Sequence, residues 1–161
     1  MSERIEFKGH GGIDLVADTR GPVGAPTVVL LHGGGQTRFS WGGTAVTLAE
    51  QGYRSITVDA RGHGESGWAT DADYTLGAFA RDVEVLLDQL RGGHGAGAMP
   101  IHLVGASLGG LTSLLLLGEL APDAAQSLVL VDVVPDFAEA GADRIKDFMV
   151  CLLYTSDAAD E

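Results

Sequence analysis

The chain has 161 residues, 45% hydrophobic and 20% charged, with 22 acidic side chains against 10 basic ones and a formal net charge of −12. This length suits one globular domain with its own core rather than two, and no apolar run approaches the roughly 18 residues that span a bilayer. The cations are few and scattered, so there is no electrostatic footprint for nucleic acid or anionic lipid.

The polar opening MSERIEFKGHGG is unlike a signal peptide, which makes a cytoplasmic location the expectation. Residues 3–8 (ERIEFK) and 13–19 (IDLVADT) alternate well enough to form two antiparallel strands joined at GHGG, at the outer edge of a sheet. Short continuous apolar runs follow: TVVLL (27–31), SITV (55–58), IHLVG (101–105) and SLVLVDVV (127–134). These suit strands buried on both faces of a parallel sheet.

Helices are expected between them. Residues 75–91 place Leu76, Phe79, Ala80, Val83, Leu86, Leu87 and Leu90 on one stripe, with Arg81, Asp82, Glu84 and Asp88 opposite and Thr75 placed to cap. A weaker helix spans 43–51, and a third, 107–119, is apolar nearly all round and should pack deeply. The linker GGHGAGAMP (92–100) reads as surface loop. Strand and helix in alternation predict a doubly wound, mostly parallel α/β sheet, with any active site at the carboxyl ends of the strands. The runs ending at Leu31 and Gly105 should lie side by side at its centre.

Three blocks could carry chemistry. In GASLG (105–109), Ser107 stands in a G-x-S-x-G pattern between a buried strand and an apolar helix. A nucleophile on so sharp a turn takes strained backbone angles, and Gly105 and Gly109 leave room for the close approach of strand and helix. The plainer alternative is a serine that merely caps the helix. In LLHGGGQTRFSW, His32 and Gly33 end a strand and open a glycine loop. That loop can present a backbone N–H to a developing oxyanion together with the residue after the nucleophile, which points to Gly34 and Leu108. A phosphate loop is excluded, since no G-x-x-x-x-G-K-[ST] pattern exists, and His32 reads as a structural hydrogen-bonding residue. In DARGHGES (59–66), Asp59 and Arg61 could pair to fix the loop, leaving His63 a loop residue rather than a base. The five histidines and Cys151 show no metal-ligand spacing, so neither metal nor cofactor is expected.

These three blocks, in this order, resemble the α/β-hydrolase superfamily in its serine-nucleophile branch, over residues 3 to about 149. The resemblance implies a hydrolase of carboxylic esters or related acyl substrates, with a small-molecule acyl substrate as partner, Ser107 as nucleophile and Gly34 and Leu108 as oxyanion donors. It equally admits carbon-carbon bond hydrolases and cofactor-free perhydrolases, and a non-catalytic binding protein that keeps the elbow as architecture. The epoxide hydrolase and haloalkane dehalogenase branches carry aspartate at the position of Ser107.

In this family the acid usually follows the seventh strand and the histidine the eighth, yet no histidine follows Ser107 here. The last strands are therefore expected to be missing, and with them the base. Some members place the acid at the end of the sixth strand, where Asp132 or Asp136 lies, although a buried aspartate there serves equally as a structural acceptor, the preferred reading. The last eleven residues, CLLYTSDAADE, do not continue the preceding helical spacing and resemble a translated sequencing-library adapter. On that reading residues 1–150 are the N-terminal part of a hydrolase domain, 151–161 are not native, and Cys151 says nothing about redox chemistry. Oligomeric state and substrate identity are not legible.

Overall fold

The computed structural model describes residues 2–92 and 99–133. Among the described residues six strands form one sheet: β1 (Glu3–Lys8), β2 (Asp14–Arg20), β3 (Thr27–Leu31), β4 (Arg54–Val58), β5 (Ile101–Ala106) and β6 (Ser127–Val131), in the order β1-β2-β4-β3-β5-β6. β1 and β2 pair antiparallel, as the GHGG turn predicts, and β2 also runs antiparallel to β4. From β4 across β3 and β5 to β6 every pairing is parallel. β3 and β5 are direct neighbours with Leu31 opposite Gly105, so the loops leaving both strands emerge side by side.

The described α-helices covering the sheet are α1 (Gly42–Glu50), α2 (Leu76–Gly92) and α3 (Leu108–Leu115), the last running into a π-helical turn, Leu116–Leu120. Thr75 caps α2 by accepting the Ala78 N–H at 3.2 Å. The core joins Val29 and Leu31 of β3, Ile56 and Val58 of β4 and Leu103 of β5 to Val83, Leu86, Leu87 and Leu90 of α2. Each such side chain contributes about 1.5–3 kcal/mol by leaving water.

Within the expected span 107–119 the helix packs into the core mainly through small residues, Gly109, Gly110, Thr112 and Ser113, together with the fully buried Leu116 in the turn after α3, while Leu108, Leu111, Leu114 and Leu115 are half-buried. Three expectations need correction. Asp82 is buried rather than on the solvent side of α2, because it faces a buried arginine. β6 is not buried on both faces; as the outermost described strand it leaves Val129, Leu130 and Val131 exposed. It also ends at Val131, before the left-handed Asp132. The loop residues 93–98, Asp136 and everything from 134 onward, including the adapter-like 151–161, lie outside the described residues.

Candidate active site

Ser107 occupies the junction between β5 and α3 with φ 44° and ψ −110°, a conformation that costs a non-glycine residue about 1–3 kcal/mol and persists only when its surroundings impose it. They do so through three backbone bonds. The Ser107 N–H donates to the Val131 carbonyl at 3.1 Å, the Gly109 N–H to His32 O at 3.1 Å, and the Leu111 N–H to Ser107 O at 2.9 Å. The side chain makes no capping bond and the residue is exposed, which rules out the helix-cap alternative. A Cβ on Gly105 would stand 2.5 Å from Gly109 O, and one on Gly109 would collide with the Leu31 carbonyl. The spacing of the two glycines is thus the steric condition for the turn. Between these anchored amides, the Leu108 N–H, first of its helix, has no acceptor among the described residues.

The loop after β3 passes beside this serine: a Cβ on Gly33 would lie 3.5 Å from Ser107 Cβ, and one on Gly34 3.9 Å from Leu108 Cδ2. Its amides are committed almost throughout. Gly33 N–H donates to Gln36 Oε1 (3.1 Å), Gly35 N–H to His63 Nε2 (3.2 Å), Gln36 N–H to Gly33 O (3.2 Å) and Arg38 N–H to Asp59 Oδ1 (2.6 Å). Of the amides 33–36, only that of Gly34 has no acceptor among the described residues. His32 is buried with both ring nitrogens engaged, Nδ1–H donating to Gly33 O (2.7 Å) and Nε2 accepting from Ala60 N–H (3.0 Å). Burial holds its pKa below the ordinary histidine value, so it is a neutral structural residue.

The Asp59–Arg61 pair expected in the third block does not form. Asp59 instead takes Arg38, whose guanidinium Nη1 donates to Asp59 Oδ2, while Arg61 grips Asp82 of α2 in a bidentate pair (Nε to Oδ2, 2.6 Å; Nη2 to Oδ1, 2.7 Å). The reason is direction: Asp59 points back under the glycine loop and Arg61 away from it, toward α2. Hydrogen bonding to Asp82 raises the Arg61 pKa above its usual value. Arg38 Nε lies 3.4 Å from Asp18 Oδ1, too poorly aligned for a hydrogen bond. Sequence reasoning did not single out Arg38 or Asp82 in these roles. A signal existed for Asp82, which stands three residues after Phe79 and four before Leu86, on the apolar stripe of α2.

Asp132 follows β6 with φ 53°, next to the Val131 carbonyl that binds Ser107. It is exposed, and among the described residues its carboxylate accepts no hydrogen bond, so the expected buried structural acceptor is not what the structure contains. No described imidazole hydrogen-bonds Ser107. Beneath the serine turn lies a small apolar cavity of about 30 Å³, bounded by Leu31, His32, Phe79, Leu86, Leu108 and Thr112 among others. Among the described residues no group of three or more His, Cys, Asp or Glu side chains could hold a metal, and no helix is long and apolar enough to cross a membrane.

Residues 26–150 match the family described as alpha/beta hydrolase fold. An esterase of Mycobacterium tuberculosis is 38% identical over 119 residues, covering 74% of this chain and 37% of that protein. An sn-1-specific diacylglycerol lipase of Mus musculus is 41% identical over 112 residues, 68% of this chain and 33% of the lipase. The crystal structure of an alpha/beta hydrolase from Novosphingobium aromaticivorans superposes with a TM-score of 0.77 at 28% identity, covering 91% of this chain and 50% of that one. The chain thus spans about a third of the length of these curated relatives. With its sheet order, its serine turn and these likenesses, the chain belongs to the α/β-hydrolase family.

Proposed function

We propose that this chain carries the nucleophile and oxyanion hole of a serine hydrolase acting on carboxylic esters or related small acyl substrates. One observation supports this above the others: Ser107 is held in a strained turn beside two backbone amides, Gly34 and Leu108, that have no acceptor of their own among the described residues. Unpartnered, rigidly held N–H groups next to an exposed hydroxyl are what a tetrahedral oxyanion needs, each being worth about 3–4 kcal/mol of barrier. The esterase and lipase among the relatives favour an ester over other acyl groups.

In the reaction, Ser107 Oγ attacks the ester carbonyl carbon as its proton passes to a histidine that lies beyond these 161 residues. The carbonyl oxygen, now anionic, lies between the Gly34 and Leu108 amides. Collapse expels the alcohol, which takes the proton from that histidine, and water then releases the acid from the acyl-serine by the same steps. Asp132 is the candidate to orient the histidine: it is exposed, lacks another partner among the described residues and follows the residue that anchors Ser107.

Carbon-carbon bond hydrolysis and perhydrolysis would use the same residues and are separated by substrate profiling. A binding protein would have the turn without the chemistry. The test is labelling by a fluorophosphonate probe of the protein expressed over its whole reading frame, with turnover of a short-chain aryl ester measured in parallel. Labelling at Ser107 and loss of turnover in Ser107→Ala are expected; undiminished turnover in that variant refutes the mechanism. The 161-residue chain alone is expected to be inert, and equal turnover by both lengths would sink the assignment of the base to residues beyond these 161.

A further inference from the structure

The Gly34 N–H shares its peptide group with the Gly33 carbonyl. A trans peptide is planar, with its C=O and N–H pointing in opposite directions, so whatever holds Gly33 O also aims the Gly34 N–H. Two donors hold that oxygen, His32 Nδ1–H at 2.7 Å and the Gln36 N–H at 3.2 Å. They differ in what stands behind them. Gln36 belongs to the glycine loop itself, so its bond closes a turn that can move as a unit. His32 is buried directly after β3 and is anchored outside the loop twice: its Nε2 accepts the Ala60 N–H at 3.0 Å, and its backbone carbonyl accepts the Gly109 N–H of the serine turn at 3.1 Å.

The same contacts fix the tautomer. A backbone N–H can only donate, so the Nε2 that faces Ala60 carries a lone pair; a carbonyl can only accept, so the Nδ1 that faces Gly33 O carries the proton. One neutral imidazole thus links the Ala60 N–H to Gly33 O and, through the peptide, to the Gly34 N–H. Bonds in such a chain polarise one another, so a donor on the Gly33 carbonyl strengthens the Gly34 N–H as well as directing it. Direction matters here because Gly33 and Gly34 have no side chains to restrain them, and an oxyanion donor acts only if it is already aimed when charge develops. Pointed away from the buried ring, the Gly34 N–H has no acceptor among the described residues, and a Cβ on Gly33 would lie only 3.5 Å from Ser107 Cβ.

We propose that His32 is a positioning residue for the reaction: its Nδ1–H, by binding Gly33 O, fixes the plane of the Gly33–Gly34 peptide and so the direction and strength of the Gly34 donor at the oxyanion site. The inference rests on the hydrolase reading above and adds to it a buried residue that acts through a peptide group rather than on the substrate.

The test separates the two ring nitrogens, in the protein expressed over its whole reading frame. In His32→Asn the side-chain NH2 is bonded to Cγ, as Nδ1 is, so the donor to Gly33 O is kept and the acceptor for Ala60 is lost. In His32→Gln the carboxamide oxygen stands as far out as Nε2, so the acceptor is kept and the donor is lost. Each variant gives up one buried hydrogen bond, and urea titrations should find both destabilised to a similar degree. Turnover of an aryl ester should part them: kcat is expected to fall about tenfold in His32→Gln, with KM within about twofold, and to stay within about threefold of the unaltered protein in His32→Asn. The loss is smaller than for deleting the Gly34 amide because the Gln36 N–H remains on Gly33 O. Unchanged kcat in His32→Gln, or a loss in His32→Asn as large as in His32→Gln, would overturn the inference. Nitrogen NMR of the unaltered protein reads the tautomer without a variant. His32 protonated at Nδ1 and bare at Nε2 is expected, and the opposite tautomer, which deprives Gly33 O of this donor, overturns the inference by itself. Ser107→Ala is assayed alongside. Should it keep its turnover, the hydrolase reading fails; should it lose turnover while His32→Gln does not, only the role of His32 falls.

Discussion

The Arg38 guanidinium lies on the Asp59 carboxylate with both side chains out of solvent, 4% and 0% exposed, and the same carboxylate also takes the Arg38 backbone N–H. Arg38 ends the glycine loop and Asp59 begins the loop after β4, so this pair ties down the far end of the segment that carries Gly34. Removing one partner of a buried pair strands the other charge, at a cost of about 3–5 kcal/mol. Arg38→Ala, which leaves the Asp59 carboxylate buried with no cation beside it, is therefore expected to lower unfolding free energy by about that much in urea titrations. A loss under about 1 kcal/mol would show that the pair is solvated, as a surface pair is.

Gly109 meets the Leu31 backbone where a Cβ would go, and backbone cannot move aside as a flexible side chain can. Gly109→Ala should destabilise the fold by about 1–3 kcal/mol and also weaken labelling of Ser107, because α3 must retreat from the sheet. Full stability with full labelling would mean that the close approach is not required.

At Gly34 the steric situation is the reverse: a methyl carbon added there would meet only Leu108 Cδ2, 3.9 Å away, which is ordinary van der Waals contact. Gly34→Ala should retain most turnover, while Gly34→Pro, which deletes the N–H, should lower kcat by about 10²–10³-fold. Similar kcat values for the two variants would disprove the use of this amide.

His32 supplies a pH dependence. Its folded pKa lies below the unfolded value of about 6.5, so above that pH both states are neutral and the contribution to stability is complete. As pH falls through about 6.5 the unfolded chain takes up the proton first, and stability declines toward the lowered folded value. The slope of unfolding free energy between about pH 7 and 5 should be shallower in His32→Asn. An unchanged slope would mean that His32 is protonated in the folded protein.

Much of this was legible in the residues themselves. Period-two and continuous apolar runs located the six described strands to within about one residue at their starts, because buried strands need apolar side chains whatever their neighbours. The serine turn was legible for a local reason as well: Gly105, Ser107 and Gly109 state a steric requirement in five consecutive residues. Ion pairing was not, since a charged side chain chooses its partner by direction in space. Asp59 and Arg61 are two residues apart in the chain, yet Asp59 reaches Arg38 and Arg61 reaches Asp82, each twenty-one positions away. The hydrogen bonds that His32 takes from the Ala60 N–H and His63 takes from the Gly35 N–H, tying the two loops together, lay beyond sequence reasoning for the same cause. They exist because the parallel pairings of β3 with β4 and β5 bring three loops to one end of the sheet, and only there does an imidazole lone pair meet the amide of a residue twenty-eight positions earlier.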